Sequence, residues 1–206
     1  MKYRSCIMIE ELHMVFNGRI DVGAKCISMC CENVDNRPGV ELKDTAEKTI
    51  MDFVKKRADI ITESIQHSLL SSVEHKENIH TIGCNSCSNY QLRNWGVGSD
   101  RLIHYINMSA YPAPCQCKCF YCGYYNDGDV YNNEVKNCDN GFHDEWYDKM
   151  FNAIEWADKN GLISKNARWQ VSCGEIGIHP YKERILKLVK NRRSFFLLTV
   201  SHVTMK

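Results

Sequence analysis

The sequence predicts an α/β protein in two parts, a small α+β cysteine-rich region over residues 1–100 and a parallel βα sheet over residues 101–206. Three observations carry that expectation. After residue 101, apolar strand-like runs alternate with amphipathic helix-like runs, the pattern of βαβ units with right-handed crossovers. Before it, short strand-like runs and one long helical period are interleaved with cysteines. The twelve cysteines of the 206-residue chain fall in groups rather than evenly.

Residues 6–32 read as short strands, with His13-Met14-Val15-Phe16 running into Asn17-Gly18, a strong hairpin turn signal. A helix is expected from about Asp44, capped by Asp44 with Glu47 three residues on as in a capping box. Ile50, Phe53, Val54, Ile60, Ile61, Ile65 and Leu69 recur at mostly three- and four-residue intervals and give it one apolar face. Trp95-Gly96-Val97-Gly98-Ser99 reads as the hinge between the two parts. Arg101 to Met108 then reads as a buried strand, and Asn126 to Asn140 as loop. A helix over Asp144 to Lys159 turns Trp146, Met150, Phe151, Ile154 and Ala157 to one side and is stopped by Asn160-Gly161. Arg168 to Ser172 is the second strand, and Tyr181 to Arg192 is a helix with Ile185, Leu186 and Val189 inward. Ser194 to Val200 is the third strand.

Composition narrows the function. Twenty-six Lys+Arg against twenty-five Asp+Glu leave a net charge of +1, without the basic excess that nucleic acid or a membrane surface calls for. Glu10, Glu11 and His13 stand where a signal peptide would be apolar, and no run of eighteen apolar residues offers a membrane span. A cytoplasmic, reducing compartment is therefore expected, where disulfides do not persist and grouped cysteines favour metal or cluster ligation over scattered buried thiols. Seven of the eight histidines, His13, His67, His75, His80, His104, His143 and His179, are scattered and read as surface or hydrogen-bonded residues rather than ligands.

Cys115, Cys119 and Cys122 form a C-x3-C-x2-C directly after the first strand of the second part. Three thiolates on a short loop can hold three irons of a 4Fe–4S cluster and leave the fourth open. Tyr121 can lie against the cluster or a bound ligand. After the second strand comes Cys173-Gly174-Glu175, where Gly174 allows close backbone approach and Glu175 can accept from an ammonium group. On these residues the chain resembles the radical S-adenosylmethionine superfamily, with Cys173 in place of the first glycine of its Gly-Gly-Glu motif. The resemblance implies an incomplete parallel βα (TIM-like partial) barrel. It implies a 4Fe–4S cluster on Cys115, Cys119 and Cys122, and S-adenosylmethionine bound by Tyr121, Gly174 and Glu175. It implies reductive cleavage of that cofactor to a 5′-deoxyadenosyl radical, and an electron donor such as a flavodoxin or ferredoxin.

Cys6, Cys26, Cys30, Cys31, Cys84 and Cys87 offer six thiolates for a second, four-ligand site, and their order is similar to a SPASM or twitch domain placed before the barrel instead of after it. That resemblance implies a second 4Fe–4S cluster. Structural zinc, a zinc ribbon joining Cys84 and Cys87 to Cys119 and Cys122, and no metal at all are the other readings of the spacing. Cys117, Cys138 and Cys173 need no metal. A full eight-unit barrel takes about 250 residues. Three strands are therefore expected to make a first half that turns over poorly without a complementing barrel half. A non-catalytic zinc-binding module and an iron–sulfur electron carrier are the rival functions.

Overall fold

Period-two alternation of apolar and polar residues builds most of the strands, and the longest of them form one mixed sheet. A computed structural model describes residues 2–17, 26–30, 38–70, 84, 87–96, 101–109, 144–171, 179–190, 192 and 194–197. Along the chain these form β1 (Lys2–Ser5), α1 (Ile7–Glu10), β2 (His13–Asn17), β3 (Cys26–Ser28), β4 (Gly39–Glu41) and α2 (Ala46–Leu70). They continue as β5 (Gln91–Asn94), β6 (Ile103–Ser109), α3 (Asp144–Lys159), β7 (Ile163–Val171), α4 (Lys182–Val189) and β8 (Ser194–Leu197). The architecture is mixed α/β. Its main sheet has the order β4-β3-β2-β6-β7-β8, and β1 with β5 makes a separate two-stranded ribbon.

β2, β6, β7 and β8 run parallel as successive neighbours, while β3 and β4 are antiparallel additions at one side. β4 and β8 do not pair with each other, so the sheet is open over the described residues. β2 lies beside β6 from His13↔Tyr105 to Asn17↔Ser109, so residues on both sides of position 100 share one sheet. β2 and β3 form the antiparallel pair that Asn17-Gly18 signals, but residues 18–25, which lie outside the described residues, separate them in place of a two-residue turn.

The two faces of the sheet differ. Met14, Phe16, Ile106, Met108, Trp169 and Val171 belong to a single apolar cluster with the inward residues of α2, α3 and α4. The other face carries His13, Val15, Tyr105, Asn107, Arg168 and Gln170, which share rows by register.

The helices follow their periodicity with instructive departures. On α2, Ile50, Phe53, Ile60 and Ile61 are buried, but Leu69 is 68% exposed, because the helix outruns the core that its middle covers. Its predicted capping box is replaced. The Asp44 carboxylate accepts from Lys149 Nζ of α3 at 2.9 Å, and Thr49 Oγ1 accepts from the Lys43 N–H at 2.8 Å. α3 buries the five residues expected of it and ends in a Schellman arrangement. There the Leu162 N–H donates to Ala157 O (2.9 Å), the Gly161 N–H donates to Asp158 O (3.0 Å), and Gly161 takes φ 69°. On α4, Ile185 and Val189 are buried, but Leu186, expected inward, is 44% exposed, since an eight-residue helix covers the core with only one narrow stripe. No helix among the described residues is long and apolar enough to cross a membrane.

One buried polar contact lies beneath this framework. Arg57 of α2 is 5% exposed, and its Nε donates to Ile9 O at 2.9 Å while Nη2 donates to Glu10 O. Those carbonyls sit at the C-terminus of α1, where the last turn leaves acceptors without helical partners. Arg57→Ala strands Glu10 O in a dry site and leaves Ile9 O only its bond from the Leu12 N–H, and is expected to lower the unfolding free energy by about 1–3 kcal/mol. Arg57→Lys, with one donor cluster in place of a fork, should fall between. Urea unfolding checks this, and unchanged midpoints in both variants would refute the role.

Candidate metal centre

Parallel strands deliver their following loops to one edge, the C-terminal one, and α/β proteins bind ligands there. β6 and β7 are neighbours with Asn107 level with Gln170, so the chain leaves Ser109 and Val171 at adjacent points of that edge. The C-x3-C-x2-C begins six residues beyond Ser109, and Cys173-Gly174-Glu175 begins two beyond Val171. Cys115, Cys119, Tyr121, Cys122, Gly174 and Glu175 themselves lie outside the described residues, as do Cys31, Cys117, Cys138 and Cys173.

Of the six cysteines proposed for a second site, Cys6, Cys30, Cys84 and Cys87 lie near enough for the buried Cys6 and Cys84 to feel the charges of others in the group. Cys6 is the buried N-cap of α1, with its carbonyl accepting from the Ile9 and Glu10 N–H groups at 3.1 and 3.0 Å. Ser5↔Gln91 closes the β1–β5 ribbon just before it, so Cys6 lies next to the turn in which the Cys87 N–H donates to Cys84 O (2.9 Å) and the Tyr90 N–H to Cys87 O (3.1 Å). Cys30 comes from the main sheet. It lies two residues beyond Ser28, the last β3 residue paired with β2. Ser28 Oγ, donating to Cys30 O at 2.9 Å, fixes the backbone there.

Burial pushes the Cys84 thiol up to about 12, with further upward contributions from Cys6, Cys30 and Cys87. Cys6 is likewise raised, by burial first, and Cys30 and Cys87 add to it. All four thiols are free of disulfides, and Cys6 and Cys84 are buried while Cys30 and Cys87 are half-buried. A thiol held protonated, as burial holds Cys84, is a poor nucleophile. Among the described residues, no group of three His, Cys, Asp or Glu side chains is placed to hold a metal ion. The donor chemistry, four thiols and no hard oxygen ligand, fits zinc or an iron–sulfur cluster. Cys26 pairs with Asn17 and Glu41 at the start of β3, and Cys30 follows the other end of that strand.

Sequence reasoning passed over a second polar group, on the open face of the sheet. Glu11 Oε2 accepts from Arg168 Nη2 at 2.6 Å and lies 3.1 Å from His13 Nε2. Arg168 Nη2 also comes within 3.4 Å of that nitrogen, but the shorter contact to a carboxylate decides the tautomer, with the proton on Nε2. Burial holds His13 below its ordinary value despite Glu11, and its ring lies 4.6 Å from that of Tyr105, whose hydroxyl donates to Gln170. The signal that could have found this group is the shared strand phase of His13, Tyr105 and Arg168, which shows only once the register is known.

His179, the first described residue beyond the Gly174-Glu175 segment, is 5% exposed. The Tyr181 N–H donates to its Nδ1 at 3.1 Å, so the neutral ring carries its proton on Nε2 and donates to Tyr147 Oη, also at 3.1 Å. It is a hydrogen-bonded core histidine, tying the start of α4 to α3.

No family model matches the chain, and no curated protein or solved structure matches it either.

Burial lowers His179 from 6.5 to about 4. Between those values the unfolded chain binds a proton that the native chain does not, so stability is complete above about pH 6.5 and is lost as pH falls toward 4. The gap corresponds to roughly 3 kcal/mol. His179→Gln should flatten the acid limb of urea midpoint against pH between 4 and 7 relative to the native chain, and parallel limbs would exclude His179 as the titrating group.

Proposed function

We propose that this chain is an iron–sulfur protein of the radical S-adenosylmethionine class. The observation that supports it most is the pairing of β6 with β7. Two neighbouring parallel strands send the Cys115, Cys119, Cys122 segment and the Gly174-Glu175 segment away from one edge, as a site shared by cluster and cofactor needs. The three thiolates would hold a 4Fe–4S cluster with one iron open to the amino and carboxylate groups of S-adenosylmethionine. Gly174 would leave room for the cofactor against the backbone, Glu175 would accept from its ammonium group, and Tyr121 would contact it. The cluster, once reduced by a flavodoxin- or ferredoxin-type donor, would supply the electron for reductive cleavage of S-adenosylmethionine to methionine and a 5′-deoxyadenosyl radical that abstracts hydrogen from the substrate. The protein's part is to orient the cofactor and keep water away. In this reading the parallel strands belong to a TIM-like partial barrel, and the polar row of His13, Tyr105 and Arg168 lies on its inward face. The compartment is the cytoplasm.

Anaerobic reconstitution with iron and sulfide is expected to give a brown protein that releases 5′-deoxyadenosine when reduced in the presence of S-adenosylmethionine. Combined Cys115→Ala, Cys119→Ala and Cys122→Ala should abolish release. Glu175→Ala should keep the iron and weaken S-adenosylmethionine binding about tenfold or more, the loss of one charge-assisted hydrogen bond. A colourless preparation that retains stoichiometric zinc would instead establish the zinc-binding module.

A further inference from the structure

The polar group on the open face of the sheet is assembled from three strands and the turn before them. His13, Tyr105 and Arg168 stand in one row, through His13↔Tyr105 between β2 and β6 and Tyr105↔Arg168 between β6 and β7. The Tyr105 ring lies 4.6 Å from the imidazole of His13 and 5.6 Å from the Arg168 guanidinium carbon, so one ring supports both. Glu11 joins from the turn, with Leu12 between it and His13. Leu12 is fully buried and takes φ 45°. Positive φ is costly for a leucine, persists only where the surroundings enforce it, and gathers at functional sites.

The contacts inside the group use few of its polar atoms. Glu11 Oε2 accepts from both Arg168 Nη2 (2.6 Å) and His13 Nε2 (3.1 Å). Glu11 Oε1 and His13 Nδ1 remain as acceptors, and Arg168 Nε and Nη1 as donors, without hydrogen-bond partners among the described residues. An ion pair that only tied the strands together would need no more than the bonds to Oε2. The Glu11 and Arg168 side chains are 37% and 49% exposed, so a ligand can reach the pair. Burial favours neutral His13, which leaves the group with one negative and one positive charge side by side. A simple anion or cation meets repulsion there as well as attraction. A zwitterion aligned with the pair meets attraction at both ends. An α-amino acid has that pattern, an ammonium with three donors beside a carboxylate that matches a guanidinium edge.

We propose that Glu11, His13 and Arg168 form a binding site for a free α-amino acid on the polar face of the sheet. Arg168 holds the carboxylate through Nε and Nη1. Glu11 Oε1 accepts from the ammonium group, with His13 Nδ1 as a second acceptor, and Tyr105 keeps the recognising groups in place. The site uses none of the cysteines and neither Gly174 nor Glu175, so it goes beyond the function given above without depending on it.

The test is an NMR titration of the full chain carrying nitrogen-15 histidine, with glycine, L-leucine and L-glutamate as probes. The His13 ring signals are assigned by their loss in His13→Gln. A saturable shift of those signals is expected with at least one of the three amino acids. Its N-acetyl and amide derivatives, which lack the ammonium and the carboxylate respectively, should bind about tenfold more weakly or worse, the loss of one charge-assisted contact. Arg168→Gln should erase the preference for the free acid over the amide, and Glu11→Gln the preference for the free amine over the N-acetyl form. Should either variant fail to fold, the discrimination shown by the native chain decides the matter. No saturable shift with any of the three amino acids would overturn the proposal. So would equal binding of an amino acid and both its derivatives, or tighter binding of acetate or inorganic phosphate than of the amino acid.

Discussion

The Arg57 fork onto the Ile9 and Glu10 carbonyls is the contact on which the rest of this structure leans. It finishes the one-turn helix α1, which has neither the length to be stable alone nor a side-chain cap at its start. From that turn the chain branches to everything else. Cys6 caps it, Tyr3 Oη reaches Glu10, Leu12 takes φ 45° to swing the chain into β2, and Glu11 O accepts from the His104 N–H of β6 at 3.1 Å. A buried cation is costly unless its donors are occupied, so α2 can sit against α1 only in the position where the fork closes. One long helix is thereby indexed against both the ribbon and the main sheet.

The asymmetry of the sheet follows from the same arrangement. With α2, α3 and α4 sharing one apolar cluster with Met14, Phe16, Ile106, Met108 and Trp169, the polar side chains collect on the opposite face, where hydrogen bonds offset the burial of groups such as His13. A parallel sheet with helices on both faces reads apolar in both strand phases, and this one does not. His13, Tyr105, Arg168 and Gln170 satisfy one another there, which fixes a polar surface between the two cysteine-bearing ends of the strands.

Local chemistry made much of this legible in advance. The apolar stripe of α3 and its stop at Asn160-Gly161 come from residues within a few turns of one another, and a glycine's freedom at positive φ is independent of the fold around it. β6 and β8 start within two residues of their expected positions for the same reason. β7 begins at Ile163, five residues before the expected Arg168, because Lys165 and Asn166 interrupt its alternation while the strand continues along β6. Leu69 and Leu186 read as inward, since periodicity reports a phase but not where the partner surface ends. Arg57 carries no local signal of its role, because its two acceptors are 47 and 48 residues away.

Ile7–Glu10 reads among short strands where the structure has the one-turn helix α1. By itself, the sequence determined α2, α3, α4, β2 and the parallel strands β6, β7 and β8, and that the thiols are numerous and grouped. These are properties of neighbours along the chain. Only the tertiary structure decided that β2 lies beside β6 and that one polar face joins Glu11 to Arg168. The reason is register. A strand's partner and its offset are set by contacts distant in sequence, and a shift of one residue between β2 and β6 would turn His13 away from Tyr105 to the apolar face.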